Sequence, residues 1–425
     1  MTATTTIQRQ VVAASPTRQR VMGIVFIVLG LAIWALFARG SVPGQVASYN
    51  LNLGVGVSKF TLPDWLVPVQ PTLYVLAVLS AVLGGIQLAR GFGRWTNLAL
   101  GVVVVAFIFA FFTWAAADKS ISLAGLIYNS VANAVPITLG ALSGVLCERS
   151  GVVNIAIEGM MLTGALVGAV VGSITNSWLG LLAAILAGVL MALLHAVLSI
   201  RYKVNQIVSG TVINIFASGL TSYLSSKFLE RYQQINFPKI FPSIPIPGLS
   251  DIPFIGPIFF NNNIFVYAMF IFIVVLQVAL FKTKWGLRVR AVGEHPKAAD
   301  TLGIDVIKTR YMAVLLGGAM AGFAGAYFTL GSVGRFDRLM TGGRGFIGLA
   351  AMIFGNWTPA GSFGAGLVFG FADSLAGKLA LLNVAIPSYF LLMAPYIATM
   401  IVLAGVVGRG QMPAADGTPY EKEEL

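Results

Sequence analysis

Apolar runs long enough to cross a membrane recur along the whole chain. They lie near residues 21–38, 72–89, 97–117, 126–147, 152–173, 178–200, 204–226, 264–281, 311–331, 345–357, 361–380 and 387–408. About 20 apolar residues in a helix span the hydrocarbon core of a bilayer. Lipid offers backbone N–H and C=O groups no partner, so segments of this length must satisfy them internally as helices. The fold class expected is therefore all-α: a polytopic membrane bundle of about 11–12 transmembrane segments. The run at 345–357 is short and ends in "GNWTPAGSFG", a Gly/Pro break that predicts a half-span or re-entrant segment. With 57% hydrophobic and only 10% charged residues, 425 residues could not clothe a soluble core.

Twelve crossings put both termini on one side, and the basic residues choose the side. With the N-terminus inside, seventeen Lys/Arg fall in inside segments and nine outside, Lys378 lying within a span. Basic residues concentrate in cytoplasmic loops, so both termini are expected there, in a bacterial plasma membrane. The net charge of +12 is thus absorbed by topology and the lipid bilayer, and does not call for nucleic acid. Arg18 and Arg20 precede the first run, which is longer than the apolar region of a secretory signal and lacks a clean small-x-small site; it reads as a retained span. Cys147 is the only cysteine, and His195 and His295 lie far apart, so neither an internal disulfide nor a metal motif is expected.

One stretch departs from this pattern. "KTKWGLRVRAVGEHPKAADTLGIDVIKTR", residues 282–310, carries seven Lys/Arg and three Asp/Glu between two apolar runs. Within it Pro296 suits a first helical position, Ala298 and Ala299 favour helix, and Gly303 suits the residue just past the end. A loop that only set topology would need Lys and Arg but no capped helix. The two alanines predict a small-residue face that another protein can approach closely.

"KAADTLG", Lys297 to Gly303, resembles the E-A-A-x-x-x-G element of import permeases in ATP-binding-cassette (ABC) systems, with Lys297 in place of the usual Glu. The longer "GLRVRAVGEHPKAADTLGIDV" is similar to the branch carrying branched-chain amino acids, pentoses and nucleosides. "ERSGVVNIAIEGMML", "GGRGFIGLAAMIFGNW" and the tail "GVVGRGQMPAADGTPYEKEE" resemble its purine-nucleoside type. The resemblance runs from about Leu126 to the C-terminus. It implies a permease core at 121–410, a cytoplasmic coupling loop at 282–310 and a cytoplasmic tail at 411–425. Residues 1–120, with about three spans, form an N-terminal extension. It further implies that Glu294, Pro296, Lys297, Ala298, Ala299 and Gly303 dock on a cytoplasmic ATPase. A second permease subunit, paralogue or self, and an extracytoplasmic substrate-binding protein would complete the importer. No G-x-x-x-x-G-K-[ST] loop occurs, so no cofactor is expected on this chain and ATP would be hydrolysed by the partner; nor is any catalytic constellation evident, so an enzyme is not expected.

Polar residues inside apolar runs are costly and usually face a pore or a partner. Glu158, with Asn154 one turn earlier, is read as lying on one face of a span beginning at Val152; the pair could line a nucleoside pocket or simply bond helices together. Asn214, Arg344 and Phe346 are further pathway candidates, the last as a ring on which a base could stack. Asp373 is expected to bond to a neighbouring helix, and Arg335, Asp337 and Arg338 to form a local ion-pair cluster in an outside loop. An importer of the same build for simple sugars or branched-chain amino acids remains an alternative. A second is an ion-coupled secondary transporter using Glu158 or Asp373.

Overall fold

The computed structural model describes residues 16–54, 60–381, 393 and 411–422. Apart from Met393, the span expected at 387–408 lies outside the described residues. Among those residues nine helices are long and apolar enough to cross a membrane. Their cores coincide with nine of the apolar runs, and the chain divides into two units.

The first unit takes in residues 16–52 and 61–124. Helices α1 (Pro16–Ala32, continued by a wider turn to Ala38), α2 (Val69–Ala89) and α3 (Thr96–Ala115) pack through small residues. A Cβ on Gly30 would lie 2.9 Å from the Ala77 carbonyl oxygen, so the helices meet backbone to backbone. A small sheet caps one end. Its strand β1 (Val46–Asn50) pairs antiparallel with β2 (Trp65–Pro68) and parallel with β3 (Ser120–Ser122). Tyr49 stacks on Phe109 and bonds through its hydroxyl to Thr113 Oγ1 at 2.9 Å.

The second unit holds α4 (Leu123–Glu148) over nearly all its length, α5 (Ile157–Ile174), α6 (Ser177–Ala196) and α7 (Gln206–Leu224). After the short α8 (Ile255–Phe259) come α9 (Ile264–Lys282), α10 (Lys284–Glu294), α11 (Pro296–Thr301) and α12 (Val306–Ala326). Helices α13 (Arg344–Phe354) and α14 (Pro359–Leu381) complete the described part. Helices α6, α7 and α12 each run on into a wider π-type turn, ending at Arg201, Leu229 and Val333. Helices α5, α6 and α12 approach closely because glycines face one another: a Cβ on Gly188 would sit 2.6 Å from Gly322 Cα, and one on Gly180 2.7 Å from Gly172 Cα. Strands β4 (Ile244–Pro245) and β5 (Asn261–Asn262) pin the long Pro/Phe/Ile loop.

Helix α4 is buried along almost its whole length and contains Pro136. Proline has no N–H, so the carbonyl of Ala132, four residues back, loses its helical donor. The Tyr327 hydroxyl supplies the missing bond, donating to Ala132 O at 2.9 Å. Tyr327→Phe should therefore destabilise the protein by about 1 kcal/mol, and by much less in a Pro136→Ala background where the helix bond is restored. Thermal unfolding of the four proteins in one detergent measures that coupling.

Candidate functional site

The chain between α4 and α5 is not helical. Val152 to Ala156 is extended or turned backbone, buried at most positions, and its polar groups are satisfied one by one. Gln206 Oε1 accepts from Val153 N at 2.7 Å, and His195 Nε2 lies 2.9 Å from Val153 O. Asn214 Nδ2 donates to Ile155 O at 2.8 Å, while Asn214 Oδ1 accepts from Gly159 N at 2.7 Å. Asn154 Oδ1 accepts from Ala156 N at 3.0 Å, a local turn that competes with helix. Because His195 must donate from Nε2 to a carbonyl, Nδ1 is the acceptor for the Ser209 hydroxyl at 3.1 Å.

This geometry corrects the expectation that Asn154 and Glu158 share one helix face. The helix starts at Ile157, so only Glu158 lies on it. The run of Gly, Val, Val and Asn before it favours extended backbone, which hydropathy alone does not reveal. Asn214 is committed to backbone, while the fully buried Asn154 accepts from Ala156 N and directs Nδ2 to Cys147 Sγ at 3.4 Å and Met160 Sδ at 3.8 Å.

Glu158 reaches across to the segment before α13. Its Oε1 accepts from the Thr341 hydroxyl at 2.6 Å and from Gly343 N at 2.9 Å, and its Oε2 accepts from Gly345 N at 2.7 Å. A carboxylate at a helix N-terminus takes up orphan N–H groups and complements the helix dipole. Gly345 is required by closeness, since a Cβ there would sit 2.6 Å from Glu158 Cα, and Gly343 by its φ of +78°. Helix α13 spans about 16 Å, half of a bilayer core, so the sequence expectation of a half-span is met by its length. Its far end is held as firmly. Trp357 Nε1 donates to Glu148 Oε2 at 2.6 Å, and Arg149 donates to Trp357 O at 2.9 Å and Asn356 O at 3.1 Å.

At the Glu158 end of α13, Arg344 lies 3.7 Å from Asp373 of α14 and over the Phe328 ring at 5.8 Å. The two charged side chains are 29% and 27% exposed, whereas Phe346, two residues on in α13 and so turned away from Arg344, is 47% exposed on another face. Asp373 thus bonds to a neighbouring helix as expected, and its partner is Arg344. A partly exposed ion pair would be costly against hydrocarbon, so the face it occupies suits water, cargo or another protein. Together the carboxylate and the guanidinium can accept and donate, which suits a polar molecule. In the loop before them Arg335 pairs with Asp337 at 3.0 Å, whereas Arg338 pairs with Glu230 of the other long loop.

The basic stretch forms α10 and α11. His295 caps α11, its Nδ1 accepting from Ala298 N at 3.2 Å; Pro296 opens the helix and Gly303, at φ +77°, ends it. Asp305 then caps α12 through Lys308 N at 2.9 Å. Glu294 Oε2 accepts from Ala414 N of the tail at 3.2 Å. The small-residue face expected at Ala298 and Ala299 is split. Ala298 is exposed, but Ala299 is 2% exposed and packs with Val292 and Val306 inside the segment. Two turns of helix carry too few residues for periodicity to fix which alanine points inward. The large apolar side chain presented there is Leu302, 81% exposed, which the sequence analysis did not single out. Beside it an open cleft of about 850 Å³ is lined by Lys297, Asp300, Asp305, Tyr420 and Glu421.

Residues 126–406 match the family described as branched-chain amino acid transport system / permease component. The chain is 42% identical over 299 residues to the guanosine ABC transporter permease protein NupQ of Bacillus subtilis, covering 68% of this chain and 94% of that one. It is 40% identical over 310 residues to the nucleoside ABC transporter permease protein NupC of Lactococcus lactis, covering 70% and 97%. The putative glucose ABC transporter permease protein TsgC13 of Haloferax volcanii is 34% identical over 326 residues, covering 71% and 98%. No solved structure matches.

Glu158→Ala should release three donors at once, costing about 3 kcal/mol of stability, and Glu158→Gln about half of that because it keeps an accepting oxygen. Denaturation midpoints of the purified proteins give the comparison, and equal losses for both would refute the clasp.

Proposed function

Because the chain belongs to the branched-chain amino acid transport system permease family, we propose that it is the membrane subunit of an ATP-driven importer of nucleosides. The observation that carries this reading is the capped α10–α11 segment, with Leu302 presented outward and its base fastened to the C-terminal tail. That segment is the chain between α9 and α12. A cytoplasmic ATPase seated on it can therefore push on two spans at once when its ATP sites close. The chain itself would bind no cofactor. It would work beside a second permease subunit and receive cargo from an extracytoplasmic substrate-binding protein, in a bacterial plasma membrane with both termini cytoplasmic.

Cargo follows from the two relatives named for guanosine and nucleosides, supported by the chemistry around Arg344. A nucleoside is uncharged and carries hydroxyls and a base edge. Asp373 can accept from those hydroxyls or from base N–H groups, and Arg344 can donate to base carbonyl or ring nitrogen. Asn154, Asn214 and Glu158 would act behind this face by holding α5 and α13 in place. A sugar importer is the second reading, favoured by the relative named for glucose.

Co-expression with candidate ATPases and uptake of labelled guanosine, adenosine, ribose and glucose into proteoliposomes tests both levels. Leu302→Glu should lower ATPase co-purification at least tenfold while leaving thermal stability unchanged. Wild-type chain that captures no ATPase, or a variant that captures it equally well, would remove the docking assignment. Uptake of sugars without nucleosides would change the cargo alone.

A further inference from the structure

Helix α4 is closed over one part of its length and open over the other. From Ala134 to Glu148 every residue is buried, whereas Tyr128, Ala132 and Asn133 are partly open and Asn129 is exposed. The closed part ends beside the docking segment, where Gly293 of α10 lies against the Arg149 carbonyl, so the open part lies at the opposite end of the unit. Its two carboxamides, Asn129 and Asn133, stand one turn apart on one stripe.

The half-span accounts for the opening. A Cβ on Gly144 would lie 2.7 Å from Met352 Sδ, and one on Gly348 would lie 3.0 Å from Ala141 N, so α13 runs along α4 in the same direction. One turn before Gly348, Arg344 begins α13 level with Pro136, and there the half-span stops. The stripe of α4 that α13 covers holds Ile137, Gly140 and Gly144. It continues past the head of α13 at Asn133, seven residues before Gly140 and so on the same face. The flanking faces of α4 are taken. On one side a Cβ on Gly370 of α14 would lie 2.7 Å from Ala134 N, and the Ser374 hydroxyl donates to Leu126 O at 2.9 Å. On the other Tyr327 of α12 bonds to Ala132 O. Among the described residues neither asparagine carboxamide makes a hydrogen bond. Hydrocarbon would leave such groups unsatisfied, whereas water or a polar ligand would not.

We propose that the gap beyond the head of α13, bordered by Asn129 and Asn133 of α4 with Arg344 and Asp373, is a water-filled cargo vestibule in which Asn133 reads the base of a nucleoside. A carboxamide presents N–H donors and a carbonyl acceptor in one plane, and the edge of a nucleobase presents the complementary pair. A simple sugar has hydroxyls but no such planar edge. Asn133 therefore favours nucleosides over sugars, and the exposed Asn129 stands at the mouth of the gap.

The base assignment rests on the importer reading, whereas the water-filled gap does not, and two measurements separate them. The first uses the full chain alone in lipid nanodiscs. Asn133→Cys should react with a charged methanethiosulfonate at least tenfold faster than Leu186→Cys on the exposed apolar face of α6, because a thiol ionises in water and not in lipid. The unsubstituted chain is the background for the buried Cys147. Equal rates at 133 and 186 overturn the vestibule. The second uses proteoliposomes that hold the complete importer. Asn133→Ala should lower guanosine uptake about tenfold, with ATPase co-purification and thermal stability unchanged. Uptake that ignores the substitution, or falls only in step with thermal stability, overturns the base assignment. A wild-type importer that moves no nucleoside removes the importer's nucleoside reading and the role of Asn133 with it, while the labelling rates still decide the vestibule.

Discussion

The Glu158 carboxylate joins two helix N-termini that begin inside the bundle. It stands in the first turn of α5 and takes the free N–H groups of Gly343 and Gly345 at the head of α13. Each helix end carries a partial positive charge, and one negative group answers both. Without it α13, too short to cross a bilayer alone, would have no fixed starting point. Arg344 and Phe346 would then have no fixed direction, and Arg344 could not be held against Asp373.

The same rule governs every irregular stretch in the second unit. Backbone that leaves helix geometry away from water must find named partners. Val153 and Ile155 find Gln206, His195 and Asn214; Ala132, orphaned by Pro136, finds Tyr327; Asn356 and Trp357 find Arg149. The polar residues that interrupt the apolar runs are therefore mostly employed on backbone. Arg344 and Asp373 are different because their partner is each other and both remain partly open, which is why the transport chemistry is assigned to them.

The spans were legible in the sequence because a hydropathy run of 20 residues averages over local detail. The half-span was legible too, from a short run closed by Gly, Asn and Pro. The break before α5 was not, since Val152, Val153 and Ile155 are as apolar as any helix and only their partners, 40 to 60 residues away, show that the chain is unwound. Arg344 and Asp373 were visible as isolated charges, but nothing local pairs residues on separate helices. The short helix α11 was legible from its Pro and Gly bounds, while the inward turn of one of its two alanines was not, because burial of Ala299 depends on Val292 and Val306.

The sheet of the first unit settles a question of parity. Strands that share hydrogen bonds must lie on the same side of a bilayer, and among the described residues α2 and α3 are the helices long enough to cross between β1 and β3. An even number of crossings must intervene, so both helices cross or neither does, and their length and apolarity choose the former. Arg18 bonds to Asn97 and Gln19 to Leu88 O, which puts the start of α1 level with the turn between α2 and α3, across the membrane from the sheet. Three hydrogen-bonded strands thus count the crossings of this unit without appeal to a single loop charge.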